Sequence, residues 1–276
     1  MILDELIASL ESGLERNPIQ IAQACVGVFY TAVQLSDGHA GVAFTPRDLA
    51  DTVCCPRTAA EFPNAGKLSG QSAWDLAQQA LSPHRLRRAV GLATLNALSA
   101  RLMEEKGIPG GRILNNTDAL DLAQIKTGDR VVMIGAFVPF IRKIKGQGID
   151  LKIIDKHQDA LKFDELPFWT PPEASGDILP KASVVIISGS ALVEGGLDEL
   201  LELSKNAREI ILAGPTASPW PEPFFARGVT ILGGIRVTDG NGFMCLVAEG
   251  GSGYFFTGPA EKIVIVKENA TEPISF

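Results

Sequence analysis

Three loops of the sequence carry side chains that suit the binding of a small polar ligand, and each loop follows a short apolar run. Glycine lets a ligand approach the backbone closely, while hydroxyl groups and backbone amides can hydrogen-bond it. The same residue types form turns and helix caps, so a structural interpretation stands beside the functional one. The candidates are Gly135 and Phe137 in the first loop, Ser188, Ser190 and Glu194 in the second, and Gly214, Pro215 and Thr216 in the third.

Asp155 is a further candidate because of its spacing from the first loop. In a dinucleotide site, an acidic residue about 20 positions after the glycine loop binds the ribose hydroxyls, and Asp155 stands at that distance from Gly135. The complete Gly-x-Gly-x-x-Gly fingerprint is absent, and Phe137 and Pro139 fill space that a pyrophosphate needs. The alternative interpretation is that Asp155 caps a turn.

The first part of the chain contributes Thr31 and Asn96 as candidates. Asn96 lies in the apolar stretch 89–98, which predicts a helix that is buried almost all round. A buried amide must find hydrogen-bond partners, since leaving one unpaired costs about 1–3 kcal/mol. Structural hydrogen bonding and a ligand contact facing the second half are both compatible with this position.

Metal-binding and nucleophilic motifs are weak in this sequence. The three histidines, at positions 39, 84 and 157, show no i, i+4 pairing of the kind that holds zinc on a helix. Cys54 and Cys55 are adjacent and lie in no Cys-x-x-Cys motif, although they could bind a soft metal if another ligand approached. No nucleophile elbow or Walker loop is present, so spacing alone names no catalytic group.

The second half of the chain alternates short apolar runs with helical stretches, which predicts a parallel sheet covered on both faces. Ligands of such sheets bind outside the carboxyl ends of the strands, and the candidate loops stand there. The tail changes pattern, with glycine-rich turns at 239–242 and 250–253 before a final strand near 263–266. The five predicted strands cover residues 131–134, 151–154, 183–187, 209–212 and 229–232.

The first half predicts a helix, a hairpin and two further helices, an α+β unit. The apolar run 19–35 and the segment 40–44 flank Asp37-Gly38, a pair typical of hairpin turns. Ser72 is a predicted cap for a helix through Leu81, and Ser82-Pro83 for one running to about Lys106. The segment 108–111 (IPGG) marks a boundary, which gives an N-terminal domain over 1–109 and a C-terminal α/β domain over 110–276.

The composition indicates a globular, cytoplasmic protein. Of 276 residues, 46% are hydrophobic, and 25 basic against 32 acidic side chains give a net charge of −7. This balance argues against non-specific nucleic-acid binding, and the one basic cluster, Arg85, Arg87 and Arg88, is interpreted as a solvated face. No apolar run is long enough to span a membrane, the acidic start does not resemble a signal peptide, and the four cysteines form no disulfide framework.

Several short segments together resemble the putative heavy-metal chelation family over nearly the whole chain. The resemblance implies an enolase-N-like domain followed by a Rossmann-like domain, with a site between them. The segments are VFYTAV (28–33), GLATLNA (91–97), VMIGAF (132–137), SGSALV (188–193), GPT (214–216), FARGV (225–229) and GG (233–234).

Two positions depart from the pattern that the resemblance implies. Ala136 stands where a histidine is expected, which removes a good metal ligand, and Glu194 stands where asparagine is common, which adds a carboxylate. The leading hypothesis is a protein that binds a small polar ligand, a heavy-metal ion or a metal chelate in an interdomain cleft. The alternatives are an enzyme that uses a nucleotide or S-adenosylmethionine on its Rossmann-like domain, and a scaffold without a ligand that forms a homo-oligomer.

Overall fold

The protein is a mixed α/β protein with a small antiparallel sheet and a larger, mostly parallel one. The structure is a computed structural model that describes residues 1–46 and 64–268, so Cys54 and Cys55 lie outside the described residues. Among the described helices, none combines the length and the apolar character that a membrane crossing requires.

The small sheet has three antiparallel strands in the order β1-β2-β3. The hairpin at Asp37-Gly38 is confirmed, and Gly38 has the positive φ of +97° that this turn needs. The prediction of one continuous run over 19–35 is wrong, because the chain turns at Gly27, whose N–H donates to the carbonyl of Tyr30 at 2.9 Å. The strands are β1 (Ile21–Val26), β2 (Tyr30–Leu35) and β3 (Ala40–Phe44).

The helices of this half pack on the small sheet, and the longest of them is buried as predicted. Its predicted start at Ser82-Pro83 is wrong, because Ser82 and His84 are extended and Ser82 accepts a bond from the His84 N–H instead of capping the helix. Ser72 caps a shorter helix as predicted, and a 3₁₀ turn continues it over Gln78–Leu81. The helices are α1 (Ile2–Gly13), α2 (Ala73–Ala77) and α3 (Arg85–Lys106).

The large sheet has the order β4-β11-β10-β9-β8-β5-β6-β7. All five predicted runs are strands, and the strands from β10 to β7 in this order are parallel, whereas β11 runs antiparallel to both of its neighbours. Its strands are β4 (Gly111–Asn115), β5 (Arg130–Ile134), β6 (Asp150–Ile154), β7 (Trp169–Thr170), β8 (Val184–Ser188), β9 (Glu209–Ala213), β10 (Ile231–Val237) and β11 (Ala260–Lys267).

Short helices connect these strands. The predicted turn at 239–242 instead begins a helix, because the Asp239 carboxylate accepts a bond from the Gly242 N–H at 3.0 Å and caps it. The helices are α4 (Ala119–Leu122), α5 (Val138–Ile144), α6 (Ser175–Ile178), α7 (Ser190–Glu194), α8 (Leu197–Leu203), α9 (Glu222–Phe225) and α10 (Gly240–Ala248).

The two faces of the large sheet belong to two different hydrophobic cores. Alternate strand residues such as Val185 and Ile187 share one core with α1 and α3, whereas Val184 and Ile186 share the other with α5. Because side chains alternate along a strand, each strand contributes to both cores. The first half of the chain therefore packs against one face of the large sheet.

Substitution of Gly91 tests how tightly α3 packs against the 3₁₀ turn over Gln78–Leu81. A Cβ at position 91 would lie 2.0 Å from the backbone nitrogen of Ala80, so Gly91→Ala should lower the free energy of unfolding by about 1–3 kcal/mol. The matched control is Gly176→Ala on α6, where a Cβ would have no atom within 4 Å. There the higher helix propensity of alanine should raise the free energy of unfolding by at most about 1 kcal/mol. Urea denaturation measures both changes, and equal stability of Gly91→Ala and wild type would refute this account of the packing.

Asp129 stabilises the sheet at the amino edge, opposite the candidate loops. Arg208 donates two bonds of 2.8 Å to its carboxylate, and these, helped by the Lys126 N–H, lower the pKa of Asp129 to about 2. Asp129→Asn should therefore lower the free energy of unfolding by about 2 kcal/mol at neutral pH. Because the pKa is lower in the folded protein, this contribution is present above pH 4 and declines as the pH falls towards 2.

Urea denaturation of wild type and Asp129→Asn at several pH values measures this contribution. The control is Asp164→Asn, whose ion pair with Lys145 is exposed and should contribute little. A difference between wild type and Asp129→Asn that does not shrink on acidification would contradict the assignment.

Candidate functional site

The carboxyl edge of the large sheet brings the candidate loops together. Gly135 follows β5, Asp155 follows β6, Ser188 ends β8 and Gly214 follows β9. These four strands are parallel neighbours in the order β9-β8-β5-β6, so their loops lie side by side. The four positions are half-buried, which leaves part of each accessible from solvent.

The first and second loops touch through Gly135 and Ser188. Gly135 has a φ of +88°, and a Cβ at this position would lie 2.9 Å from the Cβ of Ser188. Both the conformation and the close approach therefore favour glycine. The Ser188 hydroxyl lies 2.9 Å from that of Ser190 and accepts a bond from the Ser190 N–H at 3.3 Å. The two hydroxyls form a half-buried pair beside the half-buried Gly135.

Phe137 connects the first loop to the third. A Cβ at Gly214 would lie 3.6 Å from the ring of Phe137, and Gly214 has a φ of +117°. The carbonyl of Pro215 accepts a bond of 3.1 Å from the hydroxyl of Ser218, which holds this third loop in a tight turn. The aromatic ring thus forms an apolar wall beside the serine pair.

Asp155 uses both of its carboxylate oxygens within its own loop. One oxygen accepts the Ala136 N–H at 2.7 Å and the other accepts the His157 N–H at 2.8 Å. This is the turn-capping arrangement that the sequence left as the alternative to ribose binding. Asp155 positions the backbone of the first loop at Ala136.

Glu194 forms ion pairs with two basic side chains of this protein, Arg85 and Lys156. Its Oε2 accepts bonds from Arg85 at 3.2 Å and from Lys156 at 3.0 Å. The carboxylate is half-buried, whereas the Lys156 side chain is 64% exposed. The loop after β6 is therefore linked to the end of α7 by an ion pair.

Arg88 does not belong to a solvated face, so that interpretation of the basic cluster is wrong for this residue. Its guanidinium donates to the carbonyl of Val193 at 3.0 Å and to that of Ser82 at 3.1 Å. Burial lowers the pKa of Arg88, against the opposing influence of the nearby Glu194 carboxylate. The sequence did not reveal the contact with Val193 because the two residues lie 105 positions apart along the chain.

Thr216 and Asn96 form a buried connection between the halves of the chain. The Thr216 hydroxyl accepts the Phe44 N–H at 2.9 Å, and its carbonyl accepts a bond of 2.9 Å from Nδ2 of Asn96. Nδ2 also donates to the carbonyl of Val42 at 2.8 Å. Asn96 and Thr216 are each only 2% exposed. Structural hydrogen bonding, one of the two interpretations of Asn96, accounts for its amide nitrogen but not for its oxygen.

Thr31 lies apart from the strand-end loops. It is fully buried, and its hydroxyl lies 3.0 Å from that of Thr45. The pair joins β2 to the residue that follows β3. Thr31 supports the strand that reaches Thr216, and no strand-end loop contacts its hydroxyl within the described residues.

A cleft that sequence reasoning did not find lies beside Asn96, with a volume of about 450 Å³. We call it the α3–β10 cleft, since these elements form its opposite walls. The helical spacing of its residues could have indicated the α3 wall. The β10 wall could not be found in this way, because the predicted strand over 229–232 ends before Arg236. Its lining includes Ala40, Gly41 and Val42 of β3, Asn96, Ala100, Met103 and Glu104 of α3, Ile113, Ser218, Ile235, Arg236, Val237, Thr238 and Ile263.

A cluster of metal-ligating side chains is not present among the described residues. Over residues 1–46 and 64–268, no three side chains of His, Cys, Asp or Glu come together as a ligand set. The two candidate carboxylates, Asp155 and Glu194, accept hydrogen bonds from backbone amides and from cations of the chain respectively.

Comparison with protein families gives two matches, both described as "Putative heavy-metal chelation". One family model covers residues 7–99 and the other covers residues 118–266. An uncharacterized protein of Methanocaldococcus jannaschii is 24% identical over 190 residues, which are 66% of this chain and 67% of that protein.

Two crystal structures of proteins with unknown function from the second of these families share the fold. The one from Pyrococcus horikoshii has a TM-score of 0.76 at 21% identity and covers 96% of this chain and 99% of that one. The one from Desulfitobacterium hafniense has a TM-score of 0.73 at 22% identity, covering 96% and 98%. At these identities, the likeness shows the arrangement of elements.

Thr216→Val tests the connection between β3 and the third loop. Valine has a similar shape but cannot accept the Phe44 N–H, so the variant should lose about 1–3 kcal/mol of stability. Thr216→Ser is the matched control, since it keeps the hydroxyl and removes one methyl group. Hydrogen exchange at the Phe44 amide should accelerate in Thr216→Val and stay near the wild-type rate in Thr216→Ser. Equal exchange in both variants would mean that this bond does not hold the strand.

Proposed function

The chain belongs to the family described as putative heavy-metal chelation, and from this and its strand-end geometry we propose that it binds a small anionic ligand. The strand-end site consists of Gly135, Ser188, Ser190, Gly214 and Lys156. The ligand is either a free polyanion, such as an organic acid or phosphate, or a heavy metal already held by an anionic chelator. The two sources share one chemistry, a cluster of negatively charged oxygen atoms.

The observation that carries this proposal is the hydroxyl pair. A hydrogen bond between the Ser188 and Ser190 hydroxyls uses one of their two O–H hydrogens, whichever serine donates. The other hydrogen has no acceptor among the described residues. A half-buried donor of this kind suits an acceptor ligand, and hydrogen bonds to charged acceptors are the stronger ones. Gly135 and Gly214, in the neighbouring loops, are half-buried, so part of their backbone is accessible to a ligand.

Lys156 supports the choice of an anion. It follows the loop that Asp155 holds, and its exposed ammonium reaches Glu194, four residues beyond Ser190 on the short helix α7. Because both oxygens of Asp155 already accept backbone hydrogen bonds, its carboxylate is directed into its own loop. An incoming anion can therefore share the ammonium with Glu194.

A bare metal ion and a nucleotide are less well supported by the geometry. Among the described residues no three-ligand set is present, so a metal is better accommodated with its own chelator. The rival hypothesis, an enzyme using a nucleotide or S-adenosylmethionine, needs Asp155 for the ribose hydroxyls. No observation favours it, because backbone N–H groups occupy both oxygens of Asp155.

Several further assignments are part of the same proposal. The unit over 1–109 is the enolase-N-like domain, and the unit over 110–276 is the Rossmann-like domain. The strand-end site faces the first of these through Thr216 and Asn96. We also predict that the protein is cytoplasmic, that it binds neither nucleic acid nor membranes, and that it forms a homo-oligomer.

Opposite responses of two variants test the charge of the ligand. Glu194→Gln removes the carboxylate that competes for Lys156, so it should bind citrate about fivefold more tightly than wild type, whereas Lys156→Gln should bind it more weakly. Ser190→Ala should weaken citrate binding about tenfold by removing a hydroxyl donor. Titration calorimetry with citrate, with the nickel–citrate complex and with nickel ion alone measures each affinity.

Ser36→Ala, in the exposed hairpin turn, is the control and should bind citrate like wild type. Tight binding of nickel alone that Glu194→Gln abolishes would replace the anion site by a direct metal site. Failure of wild type to bind either citrate or its nickel complex would overturn the proposal. A preference for the complex over free citrate would identify the chelate as the ligand.

A further inference from the structure

We propose that the α3–β10 cleft is a second binding site, for a small carboxylic acid with an apolar body and a hydrogen-bond donor at its far end. This inference goes beyond the strand-end site, because it concerns different walls, a different chemistry and a different ligand. The cleft has a volume of about 450 Å³, which lies in the range of small-molecule pockets.

Asn96 lines the cleft and carries an unsatisfied acceptor, Oδ1. The atom is buried and has no hydrogen-bond partner among the described residues, and the whole residue is 2% exposed. The amide cannot turn over to relieve this, because Nδ2 donates to the carbonyls of Val42 and Thr216 and an oxygen there would face both. An O–H or N–H group of a ligand is the partner that this oxygen lacks.

The spacing along α3 gives the length of this wall of the cleft. Asn96, Ala100, Met103 and Glu104 line the cleft and lie on one face of the helix at i, i+4, i+7 and i+8. At 1.5 Å per residue, Asn96 and Glu104 are about 12 Å apart along the helix axis. An extended chain of about ten carbons spans this distance.

The middle of the cleft is apolar on both walls, so it suits a hydrocarbon body. Such a surface gains about 25 cal/mol for each Å² of apolar area that a ligand removes from water. Ser218 interrupts it without offering a free group, since its hydroxyl donates to the Pro215 carbonyl and accepts the Ile235 N–H. The apolar lining consists of Ala40, Val42, Ala100, Met103, Ile113, Ile235, Val237 and Ile263.

Arg236 supplies the charge at the outer end. Its Nε and Nη2 bind Glu261, and Nη2 also binds Asn115 at 3.0 Å, whereas Nη1 makes no bond to a described residue. A ligand carboxylate fits this remaining donor. Glu104 on the opposite wall is 77% exposed and lies 2.9 Å from His39, so solvent and that contact weaken its repulsion of the ligand.

Titration calorimetry below the micellar concentration tests the proposal with three probes of one length. They are ω-hydroxydecanoate, decanoate, and decanediol with a hydroxyl at each end. ω-Hydroxydecanoate should bind about tenfold more tightly than decanoate, because only its hydroxyl can satisfy Asn96. It should also bind more tightly than the diol, which has no carboxylate for Arg236.

Two variants locate the binding without removing Asn96, whose loss would disturb the fold. Ala100→Leu fills the apolar middle and should weaken ω-hydroxydecanoate at least tenfold, with unchanged urea denaturation as the check on folding. Arg236→Gln should weaken ω-hydroxydecanoate and leave the affinity for the diol unchanged. Ala8→Leu, on the remote face of α1, is the matched control and should change neither affinity.

The outcome distinguishes this site from the strand-end site. Citrate should not compete with ω-hydroxydecanoate, and Ser190→Ala should leave the affinity for ω-hydroxydecanoate unchanged. Equal affinities for ω-hydroxydecanoate and decanoate, or an Ala100→Leu variant that binds like wild type, would overturn the proposal. So would the absence of binding by wild type at the solubility limit of the probe.

Discussion

The hydrogen bonds from the Asn96 amide nitrogen are the interaction on which the arrangement of both candidate sites depends. Nδ2 donates to Val42 of the small sheet and to Thr216 of the loop after β9. Thr216 in turn accepts the Phe44 N–H, so α3, β3 and the third strand-end loop are held as one unit. In a buried position these bonds cannot be exchanged for water without cost. The same geometry leaves the amide oxygen without a partner beside the α3–β10 cleft.

At the carboxyl edge of the sheet, most charged groups of the candidate loops have hydrogen-bond or ion-pair partners within the chain. Asp155 accepts two backbone N–H groups, and Glu194 accepts Arg85 and Lys156. Hydroxyls and open glycine backbone are what the edge offers to a ligand. The chain belongs to a family described as putative heavy-metal chelation, and its described residues contain no cluster of three His, Cys, Asp or Glu side chains.

Most of the fold could be predicted from local patterns, and the exceptions have local physical causes. Continuous Val and Ile runs predict five of the six parallel strands, and Asp37-Gly38 predicts the hairpin, because run length and turn chemistry are properties of neighbouring residues. The run 19–35 was misjudged because Gly27 turns the chain inside an apolar segment. The helix α10 was missed because glycine-rich sequence hid the Asp239 cap. The edge strand β4 also escaped notice, because its place beside β11 depends on a distant partner.

The sequence by itself determined the fold class, most of the strands and helices along the chain, and the edge of the sheet at which the candidate loops meet. Parallel strands place their following loops on one edge whatever the loops contain. Only the tertiary structure decided what each candidate does. The contact from Asn96 to Thr216 spans 120 positions and that from Arg85 to Glu194 spans 109, so no local pattern encodes either. For the same reason the α3–β10 cleft, whose walls come from both halves of the chain, exists only in the folded protein.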